Sequence, residues 1–159
     1  MNIHKTAVLD KSVYLGKNVE IGAFSQILGN VQIGDNVKIK SNCIIGAEAD
    51  QPRVDRLGGQ NGSIVIQDGC IIKDSVIISK PTLTEITKIG SNSYLMSGAY
   101  IAHDSILGKN VIISHGARLS GYTTVDDFSN IGANATTHQK TTIGMCVTVS
   151  YTHLTLPTK

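Results

Sequence analysis

The stretch "YIAHDSILGKNVIISHGARLSGYTTVDDFSNIG" (Tyr100–Gly132) returns an aliphatic residue at every sixth position: Ile101, Leu107, Ile113, Leu119, Val125 and Ile131. A period of six matches neither an amphipathic helix, which repeats every ~3.6 residues, nor one long alternating strand, which repeats every ~2. It matches a coil with three short flat sides of six residues. One aliphatic side chain points inward from each side, and a small or flexible residue takes each corner. A coil of 18 residues stacks on the next at roughly 4.8 Å, the spacing of neighbouring strands.

The same frame runs through most of the chain. It begins at Leu9, Leu15, Ile21, Ile27, Ile33, Ile39 and Ile45, returns at Ile66, Ile72 and Ile78, and resumes at Ile89 to continue through Ile143 and Val149. Thr137 is the one non-aliphatic residue in the slot over that last run. Gly often follows the aliphatic residue (Gly16, Gly22, Gly34, Gly46), and a Val or a small residue lies two before it (Val13, Val19, Ser25, Val31, Val37, Cys43). The expected fold is therefore all-β: a hexapeptide-repeat parallel β-helix of about seven coils over residues 1–150. Two breaks in the frame, "AEADQPRVDRLGGQNG" (Ala47–Gly62) and "KPTLTE" (Lys80–Glu85), read as loops leaving a corner. After Ser150 the frame fails. The tail "YTHLTLPTK" (151–159) is set apart from the repeat domain, as a truncation or a sequence scar.

Composition agrees with a narrow aliphatic core. The 159 residues suggest one domain, only 4% are aromatic, and there is no Trp. Charged residues make up 16% and the net charge is +2, with no basic stripe interleaved with aromatics, which argues against a nucleic-acid partner. Cys43, Cys70 and Cys146 are scattered, without metal or disulfide spacing, and fit a reducing compartment. Cys43 and Cys70 fall in the small-residue slot and read as buried, inert thiols. No apolar leader or run of ~18 apolar residues is present, so a cytoplasmic protein without a membrane span is expected.

The period also stacks chemistry. Residues n and n+18 lie one above the other, which places His103 beneath Gly121 and Gly121 beneath Gln139. Ala102, Ser120 and His138 form the neighbouring column, and Tyr122 sits above Asp104. An imidazole can serve as general base near neutral pH. An adjacent carboxylate can fix its tautomer, and a glycine one coil away can offer a backbone N–H to an oxyanion. No Ser or Cys is placed as a nucleophile, so direct attack by a substrate hydroxyl or amine is the simpler scheme. His115 falls on another edge and reads as structural; His4 and His153 are terminal.

The elements "IAHD", "LSG", "VDDF" and "HQ", in this order between Ile89 and Val149, resemble the UDP-N-acetylglucosamine acyltransferases that begin lipid A synthesis. The resemblance implies a left-handed winding of the coil. It implies His103 as the base, Asp104 as its partner, Gly121 as the oxyanion donor, and His138 and Gln139 as substrate contacts. It also implies a homotrimer with sites between neighbouring solenoids. The donor would be acyl-acyl carrier protein or acyl-CoA and the acceptor a nucleotide sugar, with no bound cofactor and no metal. Tyr100 and Tyr122 stand where the family usually carries His and become candidate substrate contacts. The family's "QDLKY" loop reads "DQPRV" here, giving Asp50, Gln51 and Arg53 as sugar contacts, and its "HRGT" reads "SKPT" (Ser79–Thr82). The family's C-terminal helical domain has no counterpart in the sequence. An acetyl-CoA-dependent nucleotide-sugar N-acetyltransferase and an inactive fragment of the same fold are the alternatives. A zinc-dependent carbonic anhydrase on this solenoid would need His spacing that His103, His115 and His138 lack.

Overall fold

The computed structural model describes residues 1–50 and 62–149. Gln51 and Arg53, and the tail set apart above, lie outside the described residues. The chain winds as a left-handed parallel β-helix. Its short strands join three parallel sheets of eight, six and seven strands, visited in rotation along the chain. Over most of its length the register is the one the hexads demand: Tyr100 pairs with Arg118, Ile101 with Leu119, and Ile112 with Asn130, each 18 residues on.

The two breaks in the frame change this register without ending the coil. Gln32 pairs with Val65, 33 residues on, and Ile71 with Tyr94, 23 residues on. The chain thus leaves a corner twice, for 15 and 5 extra residues, and rejoins the same three sheets. The core is the column of aliphatics predicted from the period. Ile27, Ile45, Ile72, Ile78, Ile101, Leu107, Leu119 and Ile131 are fully buried, while Leu9, Leu15 and Val149 at the ends are partly so. Thr137 takes an aliphatic slot because its hydroxyl is satisfied there: it accepts from the Ser120 N–H at 3.0 Å and lies 2.9 Å from the Thr123 hydroxyl.

Corners demand a left-handed residue, a conformation that costs most side chains free energy and that Asn tolerates best. Asn18, Asn36, Asn42, Asn92, Asn110 and Asn134 occupy such corners with φ between 55° and 59°. These two corners also hold Phe24, Ser75, Phe128 and Cys146 in this conformation, while the third has no Asn there among the described residues and carries Asp104 (φ 60°), Tyr122 (φ 61°) and Lys140 (φ 61°) on successive coils. This is the corner that carries the His-Asp pair.

Candidate active site

His103 and Asp104 form the turn between the strands Tyr100–Ile101 and Ile106–Leu107. They are not a solvated surface pair. His103 is only 3% exposed and Asp104 4%. The Nδ1–H of His103 donates to Asp104 Oδ2 over 2.6 Å. The carboxylate also accepts from the Thr82 N–H at 3.0 Å, the Thr82 hydroxyl at 2.6 Å and the Thr84 N–H at 2.7 Å, together with the Thr84 hydroxyl. The Asp104 N–H donates to Thr87 Oγ1 at 2.9 Å. Burial pushes the Asp104 carboxyl up, but the hydrogen bonds from Thr82, Thr84 and His103 together outweigh it and hold the group below its ordinary value. An ionised carboxylate can only accept, so the imidazole proton is held on Nδ1 and the Nε2 lone pair is left free.

Nε2 faces Gly121. A Cβ at Gly121 would lie 2.6 Å from it and 2.5 Å from Cε1 of the same ring. Glycine is therefore what the imidazole needs above it, as the 18-residue register foresaw. At some corners the N–H of the first turn residue donates to an Asp from the next coil: Lys17 to Asp35 Oδ1 at 2.7 Å, Asp35 to Asp68 Oδ1 at 2.8 Å, and Lys109 to Asp127 Oδ1 at 2.7 Å. Above Gly121 that place belongs to Gln139, whose side chain makes no such bond among the described residues.

Tyr122 closes the corner. Its ring meets His103 edge-on at 5.2 Å between centroids, and its hydroxyl lies 3.2 Å from Thr82 Oγ1. Lys140 Nζ stands 5.9 Å over the Tyr122 ring. The Tyr100 hydroxyl lies 3.3 Å from Ser79 Oγ. Tyr100 also borders a groove of about 410 Å³, together with Asp50, Arg118, Ser120 and Thr136. The groove runs along the second sheet and reaches Ser120, the neighbour of Gly121. His138 and Gln139 lie exposed on the next turn of the same corner, with the His138 Nδ1 3.3 Å from the Gln139 carbonyl. His115 is exposed on a different edge.

The structure thus brings His103, Asp104, Gly121 and Tyr122 into one cluster, sets Tyr100 and Asp50 along an adjoining groove, and leaves His138 and Gln139 at its upper rim. Thr82, Thr84 and Thr87 were missed as site residues in the sequence. Thr82 and Thr84 sit in the frame break Lys80–Glu85, where the 18-residue register gives no position, and Thr87 takes the small-residue slot two before Ile89. The "SKPT" match was the available signal. Among the described residues, no group of three or more His, Cys, Asp or Glu is placed to hold a metal ion, and no helix is long and apolar enough to cross a membrane.

A triangular coil of six-residue sides is the architecture of hexapeptide-repeat proteins. The profile of the bacterial transferase hexapeptide (six repeats) matches residues 12–47 and 86–121. The chain carries the repeat of this family, and its sequence is similar to the UDP-N-acetylglucosamine acyltransferases within it. The acyl-[acyl-carrier-protein]–UDP-N-acetylglucosamine O-acyltransferase of Aliivibrio fischeri is 36% identical over 103 residues, which are 64% of this chain and 38% of that protein. The protein of the same name from Aliarcobacter butzleri is 33% identical over 165 aligned positions, covering 93% of this chain and 64% of its own length. The solved structure of the UDP-N-acetylglucosamine acyltransferase from Campylobacter jejuni superposes with a TM-score of 0.70 at 26% identity, over 94% of this chain and 66% of that one. The chain therefore spans less than two thirds of the length of these relatives.

Proposed function

We propose that this chain carries out acyl transfer from a thioester of acyl carrier protein, or of CoA, to a hydroxyl or amine of a nucleotide-activated sugar. The observation that carries the reading is the free Nε2 of a buried His103, whose other nitrogen is held by Asp104 and which lies against Gly121, whose own N–H makes no hydrogen bond among the described residues. The names of the two bacterial relatives favour an acyl carrier protein donor and the hydroxyl of UDP-N-acetylglucosamine as acceptor.

The geometry supports the following reaction. The acceptor oxygen attacks the thioester carbonyl carbon while its proton passes to His103 Nε2. The carbonyl π pair moves onto oxygen, and the Gly121 N–H donates to the resulting oxyanion. Asp104 stabilises the imidazolium through the Nδ1–H bond. Collapse re-forms the carbonyl, breaks the C–S bond and returns the proton from Nε2 to the departing thiolate. One C–O bond has formed and one C–S bond has broken, and the imidazole is restored. The groove between Asp50, Tyr100 and Arg118 is the place for the remainder of a substrate. We place His138, Gln139 and Tyr122 at the mouth of the site, with Gln51 and Arg53 as further sugar contacts. The working assembly is a homotrimer in the cytoplasm.

The test is a donor panel of acyl carrier protein and CoA thioesters against UDP- and dTDP-sugars, read by mass spectrometry, with light scattering on the same sample. An acylated nucleotide sugar from a trimer is expected. No acylated product with any pair, from a folded protein, would overturn the reading.

A further inference from the structure

We infer that Thr82 and Thr84, on the short strap Lys80–Glu85, are the positioning residues of the His103–Asp104 pair, and that Tyr122 orients Thr82 in turn. This rests on the reading of His103 as the base and adds to it the element that holds the base in one tautomer.

The strap is five residues more than the coil requires, and it is braced at its start. The Lys80 N–H donates to the Ala47 carbonyl at 2.9 Å, and Lys80 Nζ pairs with Glu48 at 2.7 Å. Pro81 is buried, and a Cβ at Gly62 would lie 2.4 Å from its ring. From this base the strap turns both backbone N–H groups and both hydroxyls of Thr82 and Thr84 onto one carboxylate. The acceptor sites of Asp104 are filled: Oδ1 takes both donors of Thr84, Oδ2 takes the Thr82 hydroxyl and the imidazole, and the Thr82 N–H is shared between the two oxygens at 3.1 and 3.0 Å. A carboxylate so enclosed has no freedom to rotate away from the imidazole.

The hydroxyl of Thr82 is spoken for on both sides. It gives its proton to Asp104 Oδ2, so towards Tyr122, whose oxygen is 3.2 Å away, it can only accept. Tyr122 is thereby tied to the same network that fixes His103, while its ring packs on the imidazole edge. Thr82 is 2% exposed, so water does not compete for these contacts. No other corner in the described residues places a threonine pair on an Asp, and this is the corner where Asp104 and Tyr122 take the left-handed conformation.

The test uses Thr82→Val and Thr84→Val, which keep shape and backbone donors but remove a hydroxyl, and Thr82→Ser, which keeps the hydroxyl. Three readouts are taken: the carboxyl titration of Asp104 by carbon NMR, the imidazole tautomer of His103 by nitrogen NMR, and kcat with KM. Removing a donor to the charged form raises a carboxyl pKa. Each valine variant should therefore titrate Asp104 at higher pH and lower the Nδ1–H population, and should reduce kcat by roughly tenfold at unchanged KM, the signature of a loosened catalytic group. Thr82→Ser should recover most of each effect, and Tyr122→Phe should show the Thr82→Val effect in weaker form. Parent-like titration and tautomer in both valine variants would overturn the inference, even with His103→Ala inactive. Shifted NMR signals in a parent that acylates no nucleotide sugar would leave the positioning role standing and overturn the function proposed above.

Discussion

Gly121→Ala isolates the fit between the imidazole and the coil above it. The new methyl carbon would lie 2.5 Å from His103 Cε1 and 2.6 Å from Nε2. Carbon contacts settle at about 3.5–4.0 Å, so ring and backbone must separate by about 1 Å. The ring cannot simply swing aside. Asp104 holds Nδ1 at 2.6 Å, Thr82 Oγ1 lies 3.2 Å away, and Tyr122 packs against the edge. Overpacking of this kind costs about 1–3 kcal/mol. For a chain of this size that lowers Tm by roughly 2–12 °C. Displacing a catalytic group by about 1 Å costs on the order of 10²-fold in rate. Scanning calorimetry and turnover with the identified substrate pair measure both effects. Gly144→Ala is the control: among the described residues no heavy atom beyond its chain neighbours lies within 4 Å of its Cβ, so it should be neutral or stabilise by about 0.4–1 kcal/mol through the unfolded chain. A double-mutant cycle sharpens the test, because His103→Ala empties the space the methyl needs. If Gly121→Ala leaves Tm and turnover unchanged, or destabilises the His103→Ala background as much as the parent, the stacking argument fails.

Three further outcomes follow from burial and charge. Asp104 is held below its ordinary value of 3.8, so the stability it contributes is complete above that pH and is lost as pH falls through the lower folded value; Asp104→Asn should flatten the decline of Tm in this acid range, and an unchanged slope would contradict it. Burial pushes the Cys70 thiol up to about 11 and Cys43 up as well, so a thiol reagent at neutral pH should label only the exposed Cys146 in the folded chain, by intact mass. Ile72→Ala, at a fully buried position in the middle of the coil, should cost about 2–5 kcal/mol in denaturant unfolding, against near zero for the exposed His115→Ala.

The coil was legible because its signal is repeated: each hexad reports the same inward side chain, and the 18-residue register then places His103 under Gly121 without any knowledge of side-chain packing. The same register foretold Tyr122 above Asp104. What it could not give lies where the repeat is interrupted. Thr82 and Thr84 meet Asp104 because the strap folds back over the corner, and a loop's path is not encoded in the period of the strands around it. For the same reason the period of the strands does not show that the pair is buried; the strap and Tyr122 bury it. Asp50 was named for its match to a sugar-binding loop; it lines the groove with Arg118, a residue that the hexad pattern marks only as outward-facing.

The most direct measurement is turnover by His103→Ala beside the parent, with acyl carrier protein and CoA thioesters as donors, a nucleotide sugar as acceptor, and circular dichroism on the same samples. Loss of a general base lowers a rate by about 10²–10⁴-fold. The account predicts a loss in that range with the β-helix spectrum unchanged. Parent-like turnover by a folded His103→Ala protein would contradict it.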